Sequence, residues 1–202
     1  MTSVITGDII KSRETIPSIW IDALKTSLSS LNPDNRFWEI YRGDSFQIEI
    51  ANPSESFLAA VYIKACIKTI KGLDVRLAIG IGDKTHEGKD VTESNGDAFI
   101  FSGETLETLK KIKQNLQIKT QNIELNKELN LYFKLLLVNI DNWTINSAEI
   151  VKLSIDNPNA LQHDLAKMIN TKQDAVSKRQ KRAGLENILE LNQLYQKKVS
   201  VL

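Results

Sequence analysis

The sequence predicts an α+β fold: a ferredoxin-like sheet domain followed by a small all-α helix-turn-helix domain. Three observations lead there. Short β-branched runs and segments with helical periodicity alternate in the order β-α-β-β-α-β, the split βαβ arrangement. Glycine and proline together account for only 13 of 202 residues, too few for a turn-rich β-sandwich. After residue 141 the strand-like runs stop, and only short helical periods remain.

The elements follow in order. Ser3–Ile10 (SVITGDII) is short and β-branched, a buried strand ending at a Gly-Asp pair. Ile16, Ile19, Trp20, Ala23, Leu24, Leu28 and Leu31 recur at three- and four-residue steps, so an amphipathic helix follows, stopped by Asn32-Pro33-Asp34. Phe37–Tyr41 and Phe46–Ile50 read as two strands joined through Arg42-Gly43-Asp44-Ser45, a hairpin with a glycine turn. Pro53-Ser54 opens a second helix with Leu58, Val61, Tyr62, Ala65 and Cys66 on one face, closed by Lys71-Gly72. Asp74–Gly82 is a strand, Gly96–Lys113 a third helix, Gln117–Thr120 a further short strand and Leu125–Ile140 a leucine-rich helix. In this topology the first strand and the hairpin lie side by side at the middle of the sheet, so Asp8 and Asp44 become neighbours.

Composition narrows the function classes. Lys and Arg number 26 against 25 Asp and Glu, a net charge of +1, and 42% of residues are apolar. A polyelectrolyte tail and wholesale disorder are both ruled out. The single cysteine forms no internal disulfide and provides no zinc ribbon, and the two histidines, His86 and His163, make no metal-ligand pair. No apolar run approaches the ~20 residues of a membrane span, and the first residues lack the pattern of a signal peptide. A reducing, cytoplasmic setting is the expectation. Residues 142–202 carry nine basic and six acidic side chains, and five of the nine bases fall between Lys172 and Arg182. A boundary near Asn139–Thr144 therefore divides the chain into 1–141 and 142–202.

Two carboxylates brought together by backbone geometry repel each other, and a divalent cation relieves that repulsion. Asp8 and Asp44, with Ile9 beside Asp8, are the candidate metal set, and Mg²⁺ or Mn²⁺ the candidate ion. Lys11, Ser12 and Arg13 follow at the turn into the first helix, where backbone N–H groups and a positive helix end suit a triphosphate. Gly43 permits close backbone approach beside Asp44. The plain alternative is that both aspartates are turn residues. Cys66 sits on an apolar helix face and reads as a buried, inert thiol. Arg76 is within reach of a phosphate, though an outward strand arginine is the commoner case.

The C-terminal segment has the internal spacing of a helix-turn-helix. Ala166 is the small residue where two helices cross, Asn170 takes the positive φ of the turn four residues later, and Val176 packs back from the recognition helix six residues further on. Thr171 and Gln180 depart from the usual aliphatic pattern. Lys172, Gln173, Ser177, Lys178, Lys181 and Arg182 then face DNA: the cations neutralise phosphates, and Gln173 and Ser177 suit base edges. The plain alternative is a solvated basic helix in a helical bundle.

The segments ITGDII at 5–10, YRGDSF at 41–46 and RLAIGIG at 76–82 resemble the palm of class III nucleotidyl cyclases and their GGDEF relatives. The fuller pattern, VITGDIIKSR, RGDSFQ, DVRLAIGIG, SNGDAFIFSG at 94–103 and a C-terminal helix-turn-helix, is similar to the SatD family across nearly the whole chain. The resemblance implies a cyclase-like palm fused to a DNA-binding module, in a homodimer. It departs from catalytic cyclases at Ile100 and Glu104, where an Asn and an Arg steady the transition state, and at Ser45, where the GGDEF pattern has an acid. The expected function is a cytoplasmic transcriptional regulator with a metal- and nucleotide-responsive palm. The alternatives are a two-metal nucleotide cyclase or cyclic oligonucleotide synthase, and a degenerate palm used only for dimerisation.

Overall fold

The computed structural model describes all 202 residues as an α+β protein with one five-stranded mixed sheet and eight α-helices. The strands are β1 (Thr2–Ile10), β2 (Trp38–Tyr41), β3 (Ser45–Ile50), β4 (Asp74–Gly82) and β5 (Leu116–Lys119), in the order β2-β3-β1-β4-β5. All neighbours are antiparallel except β4 and β5. The first strand is thus central, with the hairpin strand β3 on one side and β4 on the other, as the sequence order predicts. Arg42 and Gly43 both take positive φ (51° and 89°), which closes the β2–β3 hairpin in the sense that matches strand twist.

Alternation along β1 and β4 assigns their side chains to two faces. Ile5, Ile9, Phe46, Ile48, Leu77 and Ile79 enter one large core with α1 (Pro17–Leu31) and α2 (Ser56–Lys68). The opposite face, bearing Val4, Thr6 and Ala78, is covered by α3 (Asp97–Ile112). This second cover depends on Gly80. A Cβ there would lie 2.1 Å from the carbonyl oxygen of Ala98 and 2.5 Å from the Ser102 nitrogen, so α3 seats directly on the strand backbone. Thr6 Oγ1 donates to Ser102 Oγ at 2.8 Å across the same contact.

The outer edge of β5 is closed by α4 (Ile123–Ile140). Asn130 accepts from the Ile118 N–H (2.8 Å) and donates to its carbonyl (2.9 Å), and Asn126 does the same for Thr120 (2.9 and 2.8 Å). Two amide side chains thus take the place of a neighbouring strand and blunt the edge.

Four helices follow: α5 (Ile145–Asp156), α6 (Gln162–Met168), α7 (Gln173–Ala183) and α8 (Leu185–Val199). They share the sheet's core. A single cluster of 39 buried residues runs from Ile5 to Val199. Phe57 of α2 stacks on Phe133 of α4 at 5.1 Å, and the buried Tyr195 of α8 completes the group at 5.6 and 6.4 Å while donating to the Pro53 carbonyl. At the junction, Lys64, only 1% exposed, contacts Asp74 (2.6 Å) and Asp141 (2.7 Å). Lys68 adds contacts to Asp74 and to the Asp141 carbonyl.

Two local expectations change. Phe37 lies in a 3₁₀ turn (Asn35–Phe37) ahead of β2 instead of in the strand. The turn after Asp8 does not run into a long helix: Ser12–Glu14 is a single 3₁₀ turn preceded by Lys11 in the left-handed region (φ 65°), and α1 begins only at Pro17. The fixed φ of proline suits the first helical position, so Pro17 sets that start.

Candidate functional site

Two sets of residues singled out by the sequence lie on different elements of the fold. The first is the end of the sheet where β1 meets the hairpin. Asp8 is opposite Ser45 on one side and Arg76 on the other. Asp44 lies one position further, within the turn, and its carbonyl accepts the Ile9 N–H at 3.0 Å. The aspartates are brought into one neighbourhood, but each carboxylate has its own partner. Arg76 Nη1 donates to both oxygens of Asp8 (3.0 and 2.8 Å), whereas Ser12 Oγ donates to Asp44 Oδ2 at 2.6 Å.

The electrostatics follow from this arrangement. Burial pushes the Asp8 carboxyl above its ordinary pKa, Arg76 and Lys110 pull it down, and the nearby charge of Asp44 pushes it up again. Ile9 is buried in the core, so only its backbone faces the site. Nowhere does the chain gather three or more His, Cys, Asp or Glu side chains that could hold a metal ion. Of the residues expected around a triphosphate, Ser12 is buried and committed to Asp44, Arg13 is exposed, Gly43 sits open at the hairpin tip, and Lys11 is exposed, with Glu14 at 3.5 Å. Register places Arg76 against Asp8 instead of pointing outward, a pairing that residue order alone does not specify. Ile100 is half-exposed on α3, and Glu104 pairs with Lys119 at 2.6 Å.

The second set is on α7. Helix α6 ends in a Schellman motif: the Thr171 N–H donates to the Ala166 carbonyl (2.8 Å) and the Asn170 N–H to the Lys167 carbonyl (3.2 Å), with Asn170 at φ 48°. Ala166 and Val176 are buried between α6 and α7. Gln180, apolar in the usual pattern, lies in a polar bridge instead: Gln162 donates to it at 2.9 Å, and it donates to Ser154 Oγ at 3.2 Å, tying α6 and α5 to α7. Arg179 fixes α7 to α5 through Glu149 (2.8 Å).

These contacts leave one half of α7 in solvent. Gln173, Ser177, Lys178, Lys181 and Arg182 are all exposed on that half, with Lys172 at its start. Asp174 lies among them and pairs with Lys178 at 2.7 Å, both largely exposed. Such a surface pair is weak, so the lysine remains free to exchange partners. Cys66 is buried, and burial pushes its thiol up to about 12. Both histidines are exposed.

No helix is long and apolar enough to cross a membrane. No protein-family model matches the chain, and no curated protein matches it.

Proposed function

We propose that the chain is a cytoplasmic DNA-binding regulator, in which α5–α7 form a helix-turn-helix and the sheet unit, a ferredoxin-like palm resembling that of the SatD family, mediates homodimerisation and ligand response. The observation that carries this reading is the α6–Asn170–α7 arrangement: a buried Ala166–Val176 crossing, a positive-φ turn, and a second helix with its basic half facing solvent. A recognition helix needs that combination, because its inner face must be locked to two other helices while its outer face enters the major groove. One module makes few contacts, and a homodimer supplies the second half-site.

Lys172, Lys178, Lys181 and Arg182 neutralise phosphates, while Gln173 and Ser177, one turn apart, address bases. With four cations engaged per module and two modules in the homodimer, affinity falls roughly 10⁴-fold between 50 and 200 mM salt. Fluorescence anisotropy on genomic duplex fragments tests this. Lys181→Ala with Arg182→Ala should flatten that salt dependence to roughly 100-fold. Absence of DNA binding at low salt, or a salt slope unchanged in the double variant, overturns the reading.

Asp8, Asp44 and the Ile9 carbonyl are the groups from which Mg²⁺ or Mn²⁺ binding is proposed, but as folded they do not fit a two-metal centre. Both Asp8 oxygens already face a guanidinium. That pairing favours a binding role for the sheet unit over cyclase-type catalysis.

A further inference from the structure

We propose that the cleft between the sheet unit and the start of α5 binds a small phosphate-bearing molecule, held by Lys11 and Lys71 without a metal ion. The cleft encloses about 370 Å³, and three chain segments line it: the end of β1, the α2–β4 connection and Trp143–Ile145. That volume is in the range of a small-ligand site. Three lysines line it against one carboxylate, Asp74, whereas three other clefts of comparable volume carry no such basic surplus.

The surplus remains after internal pairing. Lys64 and Lys68 balance Asp74 and Asp141 as a buried quartet. Lys71 has no carboxylate within 4 Å, and Lys11 has only the exposed Glu14 at 3.5 Å. Lys71, with no carboxylate partner, and Lys11, paired only with an exposed glutamate, therefore offer charge to the cleft, and a polyvalent anion is the partner that matches both. The first turn of α5, capped by Thr144, opens on the same cleft and adds the positive end of a 12-residue helix. The remaining wall is apolar: Ile10, Ile70, Leu73 and the ring of Trp143, whose N–H is already donated to the Ala183 carbonyl at 2.9 Å. A phosphate attached to a planar or apolar body, as in a mononucleotide, meets both halves of this lining.

The cleft is distinct from the Asp8–Asp44 site, whose carboxylates do not line it. It also touches the helical unit at a sensitive point. Trp143 joins the cleft wall to the last residue of α7 through the Ala183 bond, so an occupant that holds Trp143–Ile145 also holds the end of α7. That coupling rests on the DNA-binding reading; the binding itself does not.

Isothermal titration of the full chain with inorganic pyrophosphate and with ATP, both in EDTA, tests the proposal. Binding is expected without metal, tighter for ATP because of the apolar wall, and weaker by about tenfold for each of Lys11→Ala and Lys71→Ala. Both lysines are exposed, so an unchanged melting temperature shows that the variants fold. Lys25→Ala, an exposed lysine of α1 outside the cleft, should bind as the parent does. Binding that requires Mg²⁺ and disappears in Asp8→Asn, binding insensitive to both lysine changes, or no binding of either probe overturns the proposal. Pyrophosphate or ATP binding in a protein that binds no DNA would overturn only the function proposed above, not this site.

Discussion

Replacing Lys64 by methionine isolates the electrostatic joint between the sheet and the helices that follow it. Lys64 is 1% exposed and bridges Asp74, at the start of β4, to Asp141, at the end of α4, with distances of 2.6 and 2.7 Å. Methionine has similar length and no charge, so packing is largely kept while both carboxylates lose their shared cation. Removing one member of a buried pair costs ~3–5 kcal/mol where the abandoned charge has no other support. Here support remains. Asp74 keeps Lys68 (3.1 Å) and the Val75 N–H (2.8 Å), and Asp141 keeps the Asn115 amide on Oδ2 (3.0 Å), while its buried Oδ1 loses its one partner. The expected cost is therefore about 2–3 kcal/mol, below the full range. At this chain length that corresponds to a drop in melting temperature of roughly 4–12 °C. Urea denaturation followed by tryptophan fluorescence measures it, with Trp143 two residues from Asp141. Lys64→Met combined with Asp141→Asn should cost less than the two single changes added together, because the second removes the charge that the first abandons. A loss below about 0.5 kcal/mol, within the range of ordinary surface changes, together with full additivity, would refute the bridging role.

Other expectations are equally specific. Asp8 holds its proton more tightly folded than unfolded, so between the ordinary 3.8 and its raised folded value the native state carries the extra proton, and stability falls as pH rises through that window. The stability of the parent relative to Asp8→Asn, measured by thermal denaturation from pH 3 to 7, should decline over this interval and then level off; a flat or rising difference contradicts the burial effect. Arg76→Ala should raise the melting temperature gained on adding Mg²⁺, since the guanidinium now occupying both Asp8 oxygens would be gone; an unchanged gain argues against metal binding there. Asn170→Val should cost about 1–2 kcal/mol through the left-handed turn, while Asn170→Gly should be tolerated, as denaturation curves will show. Cys66 should resist a thiol reagent at pH 8 in the folded protein and react on unfolding, because its thiol is buried and pushed up to about 12.

Much of the local structure could be read from residue order, because it depends on contacts within four positions and on backbone chirality. Residue order locates the four helices of the first 141 residues, and Gly43 and Asn170 mark turns because both residue types tolerate positive φ, whereas the positive φ of Arg42 carries no such signal. The exposed half of α7 followed from the same helical period. Local reading had least to say where a charged residue chooses among distant partners. Gln180 departs from the expected apolar pattern because two other helices supply Ser154 and Gln162 to satisfy it. The buried Lys64 gave no signal, since its helix position is ordinary and its partners come from β4 and α4.

The sequence alone determined an α+β chain, the order of its elements, and a basic helix behind a positive-φ turn, all consequences of periodicity and of side-chain restrictions on φ and ψ. Tertiary structure decided that Arg76 stands against Asp8 across 68 positions, that Tyr195 closes an aromatic cluster with Phe57 and Phe133, and that a lysine-lined cleft opens beside Trp143. Those outcomes depend on strand register and on which surfaces exclude water together. Neither can be set by residues that are neighbours only along the chain.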